Sequence, residues 1–410
     1  MNYLIIAFIV GVFLIEVILD LLNNQYKEQP LPKNVQDIYD EVAYKNWRHY
    51  QSDLFKIGLL NQTISITILL GFLLFNGFSF LEELSRSVFN NILLVNLLFL
   101  GIYFSISALF HLPISYYKTF VIEEKYGFNK TTKKTFITDR IKGLILTLIL
   151  GGGLIILLNQ LFIIFETNII VFMVSSWAVL MTIILIVSYL NTRVFIKIFN
   201  KLTPLESGEL KDYIESLVQE IGFKVRGIYI MDASKRSTKL NAFFSGFGKN
   251  KEIVLFDTLI EKLSKEEIGA VLAHEFGHAV YKDVLRLMIQ QAIIFFIYTV
   301  TIGLVLTWDQ LAIAFNLSEM IFGFGLIMVT VLLGPISFII AMITNILSRK
   351  AEYKADQFST KYVDKNHMIS ALKVLANENY ADLNPHKAYA FVYYSHPDLS
   401  NRLRAISEGD

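Results

Sequence analysis

Apolar residues gather into long runs separated by polar stretches, and seven of these runs, near 3–22, 57–79, 91–113, 143–165, 168–190, 287–307 and 319–347, approach the ~20 residues a helix needs to cross hydrocarbon. The pattern predicts seven transmembrane helices. Only a tight turn around Glu166-Thr167 separates the fourth and fifth, so one of that pair is open to a re-entrant path. The seventh run is long enough to tilt, or to continue as helix past the bilayer. Met1 to Leu22 has no basic residue at its start and no small-residue cleavage site before Asn23-Asn24-Gln25. It therefore reads as a retained helix rather than a secretion signal.

The polar stretches orient the bundle. Loops after odd-numbered runs carry Lys27, Lys33, Lys45, Arg48 and Lys56, then Lys118, Lys125, Lys130, Lys133, Lys134 and Arg140. Arg86 is the basic residue after the second run, and no Lys or Arg follows the fourth or sixth. The positive-inside rule places the odd-side loops, 23–56 and 114–142, in the cytoplasm. Two polar segments, 191–286 and 348–410, fall on that same side. The first contains strand-like runs at 227–231, 241–247 and 253–256, which predict a small sheet packed on helices. The expected organisation is therefore five spans in 1–190, a first soluble part in 191–286, two spans in 287–347 and a second soluble part in 348–410.

Composition agrees with that picture. Of 410 residues, 54% are hydrophobic and 18% charged, against roughly 25% charged in soluble domains. The net charge of +1 gives no reason to expect a nucleic-acid partner. There is no cysteine, which excludes disulfides, thiol catalysis and cysteine-ligated metal. A transition metal must then sit on His, Asp or Glu.

Residues 274–278 read His-Glu-Phe-Gly-His. On a helix, residues four apart share a face, so both imidazoles reach one ion. Glu275 lies beside them as a general base, the HExxH zinc-protease arrangement. Catalytic zinc takes three protein ligands and keeps one open position. Glu352 is the candidate third ligand: between His278 and Glu352 the chain crosses the membrane twice and so returns to the same side. Asp356, one turn on, suits an outer role, accepting the spare N–H of a ligand histidine. An exposed charged helix start is the plain alternative for both.

The blocks His274-Glu275-Phe276-Gly277-His278 and Ser348-Arg349-xx-Glu352-xxx-Asp356 resemble those of the type I CAAX prenyl protease family of integral-membrane zinc endopeptidases. Residues 120–132, Asn241-Ala242-Phe243, Phe256-Asp257-Thr258-Leu259 and Tyr394-Ser395-His396-Pro397 match further blocks in the same order. The resemblance implies a mainly α polytopic fold, seven helices enclosing a large chamber, and one Zn2+ per chain at the cytoplasmic end. It also implies removal of the last three residues from prenylated CAAX substrates. It casts Asn241 and Ala242 as an edge strand that pairs with substrate backbone, His396 as the group that stabilises the oxyanion, and Arg402 as a nearby cation that binds the substrate carboxylate. An ordinary edge strand, a structural His-Pro turn and a surface arginine are the plain alternatives. The chain departs from the family pattern at Lys239, where relatives often carry histidine, and at Asp398, where a second proline is common.

Other residues carry less. His49, His111, His367 and His386 have no partner pattern and read as structural. Glu16 in the first run faces a watery cavity on the cost of intramembrane charge, and Asp20 sits at the interface. Two other functions fit part of the pattern. A heat-shock-type membrane metalloprotease shares HExxH and the later glutamate, with fewer spans and no Gly-Phe-Asn loop. An inactive scaffold or channel with structural zinc would need a fourth protein ligand or a lost Glu275. The expected surroundings are a peptide or prenylated substrate and the lipid bilayer, in the endoplasmic reticulum of a eukaryote or the inner membrane of a bacterium.

Overall fold

The computed structural model describes residues 2–245 and 251–409. Helices α1 (Asn2–Tyr26), α2 (Glu41–Leu74), α3 (Gly77–Val88), α4 (Ile92–Tyr117), α5 (Lys133–Leu146), α6 (Gly153–Ile164), α7 (Ile169–Leu190) and the short α8 (Ile196–Phe199) form the first half. Then come β1 (Leu202–Pro204), α9 (Glu209–Glu220), β2 (Gly227–Met231), β3 (Ala242–Ser245), β4 (Glu252–Phe256), α10 (Asp257–Lys262) and α11 (Lys265–Val280). The chain ends with α12 (Asp283–Leu306), α13 (Asp309–Ala314), α14 (Phe322–Ser359), α15 (Lys365–Asn379), α16 (Lys387–Tyr393) and α17 (Leu399–Glu408).

Among the described residues, seven helices are long and apolar enough to cross a membrane: α1, α2, α4, the continuous α5–α6, α7, α12 and α14. The chain is a multi-pass membrane protein. The fourth and fifth of these run 32 and 22 residues, so each has the length to cross, and Asn168 starts α7 by accepting from Val171 N at 3.2 Å.

The second span differs from the expectation in both boundaries. Its helix begins at Glu41, where Asp40 accepts from Ala43 N, and stops at Leu74. Residues 41–56 are polar yet helical, which a hydropathy pattern does not see. Asn76, with φ 55, turns the chain into a separate helix α3. Buried Glu82 on α3 accepts from Arg86 Nε at 2.9 Å and from Ser318 N at 2.9 Å, and so clasps α3 to the stretch before α14.

Inside the bundle, Phe78, Phe99, Phe172, Phe322 and Phe324 form the apolar core. A polar link crosses it: Asn96 Nδ2 donates to Asn159 Oδ1 at 3.0 Å, and Asn96 Oδ1 accepts from Gly323 N at 2.7 Å. That amide is one of the first-turn donors of α14, which have no partner within their own helix.

The sheet has the order β1-β2-β4-β3. β1 runs antiparallel to β2, β2 parallel to β4, and β3 antiparallel to β4 with Ala242 opposite Leu255. The predicted runs at 227–231 and 253–256 are strands, and β1 is an addition. The third run pairs from Ala242 to Ser245; its last residues, Gly246 and Phe247, lie outside the described residues. Ile253 and Leu255 of the sheet pack with Leu272 and Phe276 of α11 into a second core. This core fixes the helix that carries the HExxH motif.

Candidate active site

Helix α11 begins with a capping box, since Ser264 Oγ accepts from Glu267 N and Glu267 Oε2 accepts from Ser264 N. This arrangement satisfies amides that a helix start leaves free. Glycine at 277 is required by packing: a Cβ there would lie 2.9 Å from Ala355 Cα and 3.1 Å from Phe358 Cβ. So α11 and α14 meet at backbone distance beside the motif, and α14 brings Glu352 and Asp356 to it.

His274 Nε2 and His278 Nε2 are 3.2 Å apart. Glu352 faces both, with Oε2 3.5 Å from His274 Nε2 and Oε1 3.3 Å from His278 Nε2. The far ring nitrogens each meet a carboxylate: His274 Nδ1 lies 2.7 Å from Asp356 Oδ1, and His278 Nδ1 lies 2.9 Å from Asp283 Oδ2. The Nδ1 of His274 stands at ion-pair distance from Asp356 but outside hydrogen-bond geometry; with an N–H on each Nδ1, the two Nε2 lone pairs point at one another and at a carboxylate. Such facing acceptors repel unless a cation lies between them. Glu352 Oε2 is also buried and without a hydrogen-bond partner among the described residues. The His/His/Glu ligand atoms lie within 4.8 Å of one another. This donor set fits a zinc-type ion in both chemistry and geometry.

Glu275 is adjacent, and its side chain makes no hydrogen bond or ion pair among the described residues. Burial pushes its carboxyl above the ordinary range, offset only in part by the neighbouring imidazoles. Burial alone would lower the imidazole of His274, but the Asp356 and Glu352 carboxylates override it and lift this group to about 9. His278 is raised as well: burial opposes the rise, and Glu352 and Asp283 drive it.

The remaining candidates converge from other elements. His396 reaches in from the α16–α17 connection, with Nε2 3.3 Å from Glu352 Oε1 and most of its ring open to solvent. Arg402, on α17, gives Nε and Nη2 to Asp356 at 2.9 and 2.6 Å, while Nη1 lies 3.8 Å from Glu352 Oε2. Two of its nitrogens are therefore committed to a carboxylate of this chain. Asn241 leads into β3, the edge of the sheet, and its Oδ1 accepts from Ala242 N at 2.8 Å. The Phe244 ring of β3 lies 4.6 Å from the Phe276 ring, which sits between the two histidines on α11. The edge strand thus runs alongside the motif helix.

Asp283 carries no signal in the sequence, and Arg349, though it stands in a matching block, carries none for the role it takes. Asp283, five residues past His278, looks like a loop acid until the N-terminus of α12 folds back on the imidazole. Arg349 looks like an interfacial cation, but its Nη1 donates to Tyr394 O at 2.5 Å and to Ala390 O and Phe391 O at 3.3 Å. It closes the end of α16 just before His396. Asn345, one turn earlier, donates to Val392 O at 2.7 Å. His49, His111, His367 and His386 take no part in the cluster.

Comparison with known proteins gives concordant results. Residues 204–410 match the model of peptidase family M48, and residues 20–201 match that of the CAAX prenyl protease N-terminal, five membrane helices. The chain is 34% identical to CAAX prenyl protease 1 of Saccharomyces cerevisiae, over 92% of this chain and 89% of the relative. It is 31% identical to the CAAX prenyl protease 1 homolog of Arabidopsis thaliana, over 99% and 97%. The crystal structure of S. mikatae Ste24p superposes with a TM-score of 0.93 at 31% identity, covering 99% of this chain and 98% of that one.

Proposed function

Because the chain belongs to peptidase family M48, in its membrane-embedded CAAX prenyl protease branch, we propose that it removes the last three residues of prenylated CAAX-type substrates. The observation that carries this reading is the convergence of His274, His278 and Glu352 beside an uncommitted Glu275, next to an edge strand. We assign one Zn2+ per chain to those three ligands. When bound there, the ion supplies Lewis acidity toward the scissile carbonyl and makes water more acidic.

The chain's own residues do the rest. The edge strand at Asn241-Ala242 adds the substrate as a further strand, so main-chain hydrogen bonds hold it with little demand on its sequence. Glu275 takes a proton from water as the water oxygen attacks the carbonyl carbon, then delivers that proton to the leaving nitrogen. The raised affinity of its carboxyl for protons suits a group that must both accept and return one. His396 donates to the oxygen on which negative charge develops. Asp356 and Asp283 hold the two imidazoles with Nε2 turned to the metal. Arg402 balances the carboxylates of Asp356 and Glu352.

The charge asymmetry of the loops supports a cytoplasmic site, and the family resemblance together with seven candidate spans supports an enclosed chamber. The seven spans and the 120–132 block favour this reading over a heat-shock-type protease. Glu275 and a three-residue protein donor set favour it over a scaffold with structural zinc. The test is cleavage of a short farnesylated CAAX peptide against an unmodified unfolded protein, by the parent and by Glu275→Gln. The expected result is loss of the three-residue product in the variant with zinc retained. Undiminished cleavage by Glu275→Gln would overturn the mechanism, and preference for the unfolded protein would overturn the substrate class.

A further inference from the structure

A cavity of about 670 Å³ opens beside His396, bounded by α14, α16, α17 and the residues after α1. This is within the range of sites that hold small ligands. Its charge is one-sided. Arg349, Lys350, Lys387 and Arg404 line it, and Asp398 is the one carboxylate among the lining residues. That carboxylate is already occupied at the start of α17, accepting from Asn401 N at 3.0 Å and Asn401 Nδ2 at 2.5 Å. Arg349 is engaged by the carbonyls at the end of α16. Lys350, Lys387 and Arg404 are exposed, and their side chains have no hydrogen bond or ion pair among the described residues. Three uncompensated cations around one concave volume focus a positive potential that attracts an anion.

The position of the cavity says which anion. His396 is part of its wall and also reaches Glu352 at 3.3 Å. For a peptide whose scissile carbonyl lies against His396, this cavity is the space that adjoins the bond on the His396 side. Three extended residues span ~10 Å, which is the reach that a short C-terminal segment has from the bond into this cavity.

We propose that this cavity binds the free C-terminal carboxylate of the substrate, with Lys350, Lys387 and Arg404 as its cationic rim. The inference rests on the protease reading above and deepens it. Distance from the cationic rim to the scissile position then sets how many residues are removed, without a demand on which residues they are.

The test is equilibrium binding to the full-length Glu275→Gln protein in detergent, which needs no turnover. The probes are farnesyl-Cys-Leu-Leu-Ala with a free C-terminal carboxylate and the same peptide as its C-terminal amide. An ion pair between carboxylate and cation in a partly buried site, which the neutral amide cannot form, leads the free acid to bind about tenfold tighter or more. Lys350→Gln, Lys387→Gln and Arg404→Gln together should bring the acid down to the amide's affinity, and each single substitution should lower the ratio part of the way. The single variants decide the matter if the combined one does not fold, as judged by zinc retention. A merely structural role for these residues would weaken both probes alike. Equal affinities in the starting protein, or a ratio that the substitutions leave intact, would overturn the proposal. So would a loss confined to attachment to phosphatidylserine vesicles, which would assign the cations to a lipid headgroup. Failure of the parent enzyme to cleave the farnesylated acid is a separate turnover result, and it would sink the protease reading itself.

Discussion

Replacing Asp356 by Asn tests how the proposed metal ligands are held. The side chain is 1% exposed and serves two partners: His274 Nδ1 at 2.7 Å, and Arg402 through hydrogen bonds at 2.9 and 2.6 Å. Asn has the same size, so no cavity forms and the effect is one of charge. Two effects add. Removing one member of a buried ion pair costs about 3–5 kcal/mol; Arg402 retains Glu352 at 3.8 Å and an amide oxygen, so the lower end applies. Removing the carboxylate behind a ligand histidine lowers metal affinity about 10–100-fold.

The two effects separate by experiment. Denaturant unfolding of the metal-free protein reads the first, and zinc competition with a chromophoric chelator reads the second. Adding Arg402→Met to Asp356→Asn removes the stranded cation, so stability should recover while zinc affinity stays low. Asp283→Asn is the control: Asp283 holds His278 at 2.9 Å, but its cationic partner Arg286 is more open to solvent. It should lose zinc affinity with a stability change of only about 1 kcal/mol or less. Zinc affinity at the parent level in Asp356→Asn, or no recovery of stability in the double variant, would refute the reasoning.

Further outcomes follow from the same geometry. His274 is raised to about 9 in the metal-free site, so zinc must displace its proton below that pH. Apparent zinc affinity should climb by up to about tenfold per pH unit for each imidazole proton displaced and flatten above about 9, as read by the same competition at stepped pH. By linkage, the protonated imidazole stabilises the metal-free fold fully below the unfolded value near 6.5, and this contribution disappears as pH rises through about 9. The change is on the order of 3 kcal/mol, measurable as a falling unfolding midpoint, and a midpoint that rises over this window would contradict it. Gly277→Ala puts a Cβ 2.9 Å from the Ala355 backbone. It should force α11 from α14 at a cost of about 1–3 kcal/mol and weaken zinc binding in the same competition assay. Arg349→Gln frees the end of α16 that positions His396. Its kcat should fall about 10–100-fold at unchanged zinc content, whereas a fall in zinc content would show that Arg349 supports the metal site rather than His396.

The spans are legible in the chain without any structure, because crossing hydrocarbon demands a length and an apolarity that are written locally. His274, Glu275 and His278 are legible for a similar reason, since four-residue spacing on one helix is a local property. Glu352 and Asp356 can be reached through span parity and a family resemblance, and α14 brings them to the motif. The helical start of the second span at Glu41 is not legible, because polar residues 41–56 gain their helix from Asp40 and packing rather than from hydropathy. The partners of the site belong to tertiary packing alone. Asp283 becomes a histidine partner because α12 folds back onto α11, and Arg349 supports His396 because α16 ends against α14. The commitment of Arg402 to Asp356 and the gathering of Lys350, Lys387 and Arg404 around one cavity likewise join elements far apart in sequence. Such pairings leave no local signature, since they depend on where whole helices come to rest.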